Sequence, residues 1–108
     1  MAKRIIVADD EQSMRETLEI MLEKEGFDVD SAANGIDALR LFEEKGCDLL
    51  ITDLKMPDMG GIELIKALYD MGADVPIIVM TAFATKEQAI DALNLGASFF
   101  IEKPFQKQ

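Results

Sequence analysis

Three aspartates follow apolar runs in this sequence, and their types and positions suggest chemistry. Asp9 and Asp10 come directly after Arg4–Ala8, and Asp53 closes the run that begins at Leu49. Three carboxylates within a few ångströms raise one another's proton affinity unless a cation lies between them. Mg²⁺ takes a few carboxylate oxygens, often together with phosphate oxygens, and retains several waters. If the fold brings these residues together, we expect a Mg²⁺ site.

Two further polar residues, Thr81 and Lys103, follow the fourth and fifth apolar runs. A hydroxyl and a lysine beside a metal and a carboxylate are the groups that phosphoryl transfer needs, because they bind and offset the charge of the moving group. Carboxylates also act as nucleophiles in aspartyl-phosphate chemistry. Asp53, alone at the end of its run, is therefore the predicted acceptor, and Asp9 and Asp10 are the predicted metal ligands.

Each of these residues also has an ordinary structural interpretation. An Asp-Asp pair after a strand is common at turns and helix starts. Thr81 suits a turn, and Lys103 suits a solvated surface. Five such residues at the ends of four predicted strands favour a site over coincidence.

Strands alternate with helices along the chain, and these elements must position the candidate residues. The predicted strands are residues 4–8, 27–32, 49–51, 75–80 and 97–101. The predicted helices begin at Ser13, Asn34, Gly61 and Thr85 and end at Gly26, Gly46, Gly72 and Gly96. Capping-box patterns at 13–16 and 85–88 mark the first and fourth starts. Met14, Leu18, Met21 and Leu22 form the predicted inward stripe of the first helix.

This alternation predicts an α/β, doubly wound, five-stranded parallel sheet with helices on both faces. The flavodoxin-like strand order 2-1-3-4-5 makes the first and third strands neighbours. Asp9, Asp10 and Asp53 then converge at the carboxyl edge of the sheet, and Thr81 and Lys103 reach the same edge.

Composition limits the other classes of function. The 108 residues predict one domain spanning 1–108, and the net charge of −10 argues against direct nucleic-acid binding. No apolar run approaches the ~20 residues that span a bilayer. The chain has no histidine and one cysteine, Cys47, so a nitrogen- or sulfur-rich metal site is not expected. We interpret Cys47 as a small buried thiol rather than a nucleophile, in a reducing, cytoplasmic setting.

Four motifs make the sequence resemble the receiver domain of a two-component response regulator. They are Ile5–Glu11, Leu50–Pro57, Val79–Ala82 and Lys103–Phe105. The resemblance covers essentially the whole chain, and the stretch from Met80 to Phe105 resembles receivers of the nitrogen-regulator type.

The resemblance implies roles for the acidic residues. Asp53 is implied as the phosphoacceptor of a phosphorelay. Asp10, Asp53 and the main-chain carbonyl of Lys55 are implied as ligands of Mg²⁺, with Asp9 assisting, often through water.

The resemblance also implies a switch. Thr81 and Lys103 are implied to bind the phosphoryl group, and a cis peptide before Pro104 is implied to aim Lys103 inward. The aromatic switch position, often tyrosine in the family, is Phe100 here.

Partners follow from the same resemblance. A bacterial sensor histidine kinase is implied as the phosphoryl donor, and receivers of this type usually precede an ATPase and a DNA-binding domain in transcription activators. The resemblance implies that the domain assists its own phosphorylation and dephosphorylation but is not an enzyme in the usual sense.

Receivers normally carry a fifth helix after Lys-Pro-Phe, and this sequence ends at Gln108. We therefore expect the fifth helix to be absent. The side of the fifth strand carrying Phe99 and Ile101, or else Phe100, should then lack cover. Such a face favours a homodimer or exchange of elements between protomers.

Two alternatives remain from the residues themselves. A phosphatase of the haloacid-dehalogenase kind uses the same nucleophile and metal, but its Asp-x-Asp pattern follows the first strand, whereas here the pair is adjacent. A receiver-like module that only binds protein would not need all five of Asp9, Asp10, Asp53, Thr81 and Lys103. Labelling with acetyl phosphate distinguishes a competent receiver from that module.

Overall fold

The structure, a computed structural model, describes residues 2–81 and 86–102, in which strands and helices alternate strictly. The strands are β1 (Arg4–Ala8), β2 (Asp28–Ala32), β3 (Leu49–Thr52), β4 (Ile77–Thr81) and β5 (Phe99–Glu102). The helices are α1 (Gln12–Lys24), α2 (Gly35–Lys45), α3 (Gly61–Asp70) and α4 (Lys86–Asn94). None of these helices is long and apolar enough to cross a membrane.

The strands form one parallel sheet with the order β2-β1-β3-β4-β5. The doubly wound parallel fold predicted from the sequence is confirmed. Because β1 and β3 pair directly, with Ala8 opposite Thr52, the residues that follow these two strands come out side by side. The fold therefore places Asp9 and Asp10, which follow β1, beside Asp53, which follows β3.

The central strands of the sheet are covered on both faces, which explains their unbroken apolar runs. On one face Ile6, Leu50 and Val79 lie in the core that α2, α3 and α4 complete. On the other face Ile5 and Val7 pack with Leu18 of α1. Each central strand therefore buries consecutive residues on opposite sides.

The start of α1 differs from the predicted capping box. The helix begins at Gln12 with Glu11 at the N-cap, and no side chain caps it. Ser13 lies inside the first turn, where its carbonyl accepts a hydrogen bond of 2.8 Å from the Thr17 hydroxyl. The short connection after β1 enters the helix before the chain reaches Ser13, so the capping box predicted at Ser13 is wrong.

The buried stripe of α1 is narrower than predicted. Leu18 is buried, and Met14 and Leu22 are partly buried, but Met21 is 56% exposed. The helix packs on β1 and β2, and this contact covers the middle of the stripe and leaves Met21 on its solvent flank.

The predicted strand ends shift by one or two residues. The fourth strand begins at Ile77 rather than Val75, because Pro76 lacks an N–H and joins the sheet only by accepting from Leu50 N at 3.0 Å. The fifth strand begins at Phe99 rather than at residue 97 and extends to Glu102.

The predictions for the chain ends have different outcomes. Phe99 is 65% exposed and Ile101 is 39% exposed, so the described residues leave that side of β5 largely uncovered, as predicted for one of its two sides. The expected absence of a fifth helix concerns residues after Glu102, which lie outside the described residues, as does the N-cap predicted at Thr85.

Candidate functional site

Asp9, Asp10 and Asp53 come together at the carboxyl edge of the sheet. One carboxylate oxygen from each lies within 4.8 Å of the others. Asp9 and Asp53 are buried and Asp10 is exposed, so one side of the cluster faces the protein interior and the other side faces solvent. The convergence predicted from the strand order is confirmed.

Asp9 is held by the backbone at the end of β1. Its amide donates to Ala32 O at 3.0 Å, which extends the β1–β2 ladder by one residue. Its Oδ1 accepts from Glu11 N at 2.9 Å, and its carbonyl oxygen accepts from Arg15 Nη1 at 2.6 Å. Main chain and side chain of Asp9 are thus both fixed.

Asp53 is oriented by the loop that follows it. Its Oδ1 accepts from Leu54 N at 2.6 Å and from Lys55 N at 3.3 Å. Its amide donates to Ala8 O, and its carbonyl accepts from the Thr52 hydroxyl at 2.8 Å. These hydrogen bonds fix the orientation of the Asp53 carboxylate, which a nucleophile or a cation ligand requires.

The loop after Asp53 is closed by α3. Gly61 N donates to Leu54 O at 2.9 Å, and Glu63 Oε1 accepts from Gly60 N at 3.0 Å. Sequence reasoning missed Glu63, although its place three residues after Gly60, the N-cap of α3, was a usable signal. Within the same loop Asp58 has φ 67°, a left-handed conformation that is uncommon for a residue with a side chain.

Thr81 and Lys55 also lie near this edge. Thr81 is the last residue of β4 and is 1% exposed. Val79 pairs with Thr52, so Thr81 lies two residues further along the sheet, toward the edge at which Asp53 lies. Lys55 is exposed, and its amide donates to Asp53 Oδ1.

The remaining predicted residues are described in part or not at all. The backbone of Phe100 pairs with Val79 in the β4–β5 ladder, but its side chain lies outside the description. Lys103 and Pro104, with the predicted cis peptide, lie outside the described residues. Their roles stay predictions.

The donor set fits a hard divalent cation. It consists of carboxylate oxygens, and the chain has no histidine. Ligands on opposite sides of Mg²⁺ are about 4.2 Å apart. Oxygens that lie within 4.8 Å of one another match an ion bound directly by some carboxylates and through water by others. The residues present therefore suit Mg²⁺ better than a metal that prefers nitrogen or sulfur.

Cys47 does not belong to this site. It lies between α2 and β3, at the opposite edge of the sheet from the cluster. Partial burial raises the pKa of its thiol to about 11, an effect that hydrogen bonds from the backbone of Leu49 offset only in part. The thiol is therefore protonated at neutral pH, which agrees with the structural role predicted for it.

The family model of the response regulator receiver domain matches residues 5–108 of this chain. Chemotaxis protein CheY of Bacillus subtilis (strain 168) is 39% identical over 107 residues, which are 98% of this chain and 89% of that protein. Regulatory protein AtoC of Escherichia coli (strain K12) is 38% identical over 102 residues, 94% of this chain. The chain spans only 22% of the length of AtoC.

A solved structure extends the similarity to a phosphorylated protein. It is a response regulator from Burkholderia pseudomallei, described as having a phosphorylated aspartic acid, a calcium ion and citrate. It superposes with a TM-score of 0.88 at 32% identity, over 96% of this chain and 61% of that chain.

Proposed function

This chain belongs to the response regulator receiver domain family, and we propose that it is a phosphorylation-controlled switch whose acceptor is Asp53. The observation that carries the proposal is the cluster of Asp9, Asp10 and Asp53, in which Asp53 is buried and held by two backbone amides. A nucleophilic carboxylate needs this combination of fixed orientation and nearby cation ligands.

In the proposed transfer, an Asp53 carboxylate oxygen forms a bond to phosphorus as the bond between phosphorus and the donor breaks. The donor is the phosphorylated histidine of a sensor kinase, since this chain contains no histidine. Asp10, Asp53 and the Lys55 carbonyl would hold Mg²⁺, with Asp9 assisting. When bound, Mg²⁺ offsets the negative charge of the phosphoryl oxygens.

The proposed output is a change in conformational equilibrium. The Thr81 hydroxyl and the Lys103 ammonium bind the phosphoryl oxygens more strongly than the bare carboxylate, and this difference shifts the population of two states. Burial of Thr81 at the end of β4 supports this role, because a fixed hydroxyl there can respond to a group on the neighbouring β3. Phe100 would move with Thr81 and change the surface of α4 and β5.

The wider context is proposed from the relatives. AtoC is a regulatory protein much longer than this chain, so we propose transcriptional control through an ATPase and a DNA-binding domain in a longer bacterial protein of the cytoplasm. The domain would turn over no external substrate. The exposed Phe99 and Ile101 support association with a second copy.

The decisive experiment is phosphoryl labelling at Asp53. Acetyl phosphate with Mg²⁺ should add one phosphoryl group to the wild type, detected by mass spectrometry, and none to Asp53→Asn. Asp58→Asn is the matched control, because it removes a carboxylate from the same loop at an exposed site whose left-handed backbone suits asparagine. An adduct of undiminished yield on Asp53→Asn would place the acceptor elsewhere, and no adduct on the wild type would indicate a module that only binds protein.

A further inference from the structure

Arg15 contacts the acidic cluster through the backbone rather than through a carboxylate. Its Nη1 donates to the main-chain oxygen of Asp9 at 2.6 Å, and the bond is partly buried. The ion pairs among the described residues involve other cations, namely Arg4 and Lys45 with Asp30 and Arg40 with Asp37. Arg15 thus binds a carbonyl although three carboxylates gather at the same end of β1.

The Asp9 carbonyl lies where the β1–β2 ladder ends. Asp9 N donates to Ala32 O, and in a parallel ladder the next bond would run from the amide of residue 34 to Asp9 O. The chain leaves the sheet before that point, because Asn34 is the N-cap of α2. Arg15 supplies a donor to this carbonyl from the first turns of α1.

We propose that Arg15 is a positioning residue for the divalent-cation site, holding the peptide between Asp9 and Asp10 so that their carboxylates stay beside Asp53. The inference rests on the proposed function. The oxygen that Arg15 binds belongs to that peptide, so a rotation that swings Asp10 away from the cluster breaks the hydrogen bond.

Two further hydrogen bonds hold the connection between β1 and α1. Glu11 N donates to Asp9 Oδ1 at 2.9 Å, and Arg15 N donates to Glu11 O at 3.1 Å. Arg15 therefore holds the connection through its backbone and through its side chain, and only the side-chain bond is open to mutation. Groups that orient metal ligands in this way typically change metal affinity by about 10–100-fold when they are removed.

Positioning and charge act in opposite directions at this site. Removing the guanidinium loosens Asp9 and Asp10, which weakens cation binding. It also removes a positive charge near the cation, which strengthens binding. Weaker Mg²⁺ binding after removal of the guanidinium therefore indicates a positioning residue, and stronger binding indicates a charge that competes with the cation. A residue important only for folding would leave the Mg²⁺ affinity of the folded protein unchanged.

Calorimetric titration with Mg²⁺ tests the proposal in the absence of any phosphoryl donor. We expect Arg15→Met to weaken Mg²⁺ binding about tenfold and Arg15→Lys to restore most of the loss, because lysine is long enough to donate to the same carbonyl. Arg40→Met is the matched control, since Arg40 is an exposed helical arginine paired with Asp37, and it should bind as the wild type does.

Unchanged or tighter Mg²⁺ binding by folded Arg15→Met overturns the inference, as does failure of Arg15→Lys to improve on Arg15→Met. If Arg15→Met does not fold, Arg15→Gln takes its place, because glutamine keeps a neutral donor but is too short for it to reach the Asp9 carbonyl. Wild-type Mg²⁺ affinity in Arg15→Gln would also overturn the inference. A wild type that binds no Mg²⁺ contradicts the proposed function instead, so the two failures are distinguishable.

Discussion

Gly61, the first residue of α3, packs directly on the main-chain carbonyl of Asp53. A methyl group at Gly61 would overlap that oxygen and would lie 2.9 Å from Leu54 Cα. The acceptor loop is therefore pressed between β3 and the start of α3, with Gly61 N bound to Leu54 O. The geometry of Asp53 depends on a residue that has no side chain.

Gly61→Ala should lower the free energy of unfolding by about 1–3 kcal/mol, because the added methyl group must displace backbone. It should also slow phosphoryl uptake from acetyl phosphate, since the displaced backbone carries Asp53. Gly26→Ala is a suitable control: its φ of +93° strains an added side chain, but nothing lies within 4 Å and the acceptor is remote. Urea melts and labelling rates should separate the variants, and equal labelling rates at reduced stability would contradict the coupling.

Mg²⁺ should raise the melting temperature of the wild type by several degrees. A cation at ten times its dissociation constant stabilises the folded state by about 1.4 kcal/mol. Asp10→Ala should abolish this shift, and in metal-free buffer it should melt above the wild type because one carboxylate of the cluster is gone. Differential scanning calorimetry with and without Mg²⁺ makes the comparison. An equal shift in Asp10→Ala would remove that residue from the site.

Thr81→Ala should accept a phosphoryl group but should not undergo the change in conformational equilibrium that phosphorylation causes in the wild type. The same result is expected for Lys103→Ala. Each loses a group that is proposed to bind the phosphoryl oxygens, and that difference in binding shifts the equilibrium. Thr81→Ser is the control that keeps the hydroxyl. NMR spectra of the α4 amides with beryllofluoride, a phosphoryl mimic, should change in the wild type and Thr81→Ser only. Full shifts in both alanine variants would assign the coupling to other residues.

The exposed side of β5 should support self-association. Phe99 and Ile101 are both exposed, and Ile78, which pairs with Phe99, is only partly buried. Sedimentation of the wild type should depend on concentration, and Phe99→Ser with Ile101→Ser should remain monomeric. Tyr69→Ser is the control, because Tyr69 is 67% exposed on α3 and lies outside this face. A monomeric wild type at high concentration would contradict the prediction.

Cys47 should react slowly with thiol reagents in the folded protein. With its pKa raised from 9.0 to about 11, only about one thiol in a thousand is ionised at pH 8, compared with about one in ten at the ordinary value. Reaction with Ellman's reagent should accelerate about a hundredfold in denaturant. Because folding raises this pKa, its contribution to stability is present below pH 9 and is lost as pH rises to about 11. A fast native reaction at pH 8 would contradict the burial of the thiol.

The sequence by itself determined the alternation of strands and helices and the position of Asp53 at a strand end. These features follow from hydrophobic periodicity, which is local and survives small errors in the element boundaries. The convergence of Asp9, Asp10 and Asp53 also followed, because a parallel sheet brings the carboxyl ends of its strands to one edge whatever the details of packing.

Only the tertiary structure decided the contacts that hold those residues. Ser13 carries the better capping signal, yet α1 begins at Gln12 because β1 and the short connection set the entry of the chain. The bond from Arg15 to the Asp9 carbonyl and the contact of Gly61 with Asp53 join atoms from different elements. Such contacts depend on tenths of an ångström in the packing of helices on the sheet, and a one-dimensional pattern of residue types carries no distances of that kind.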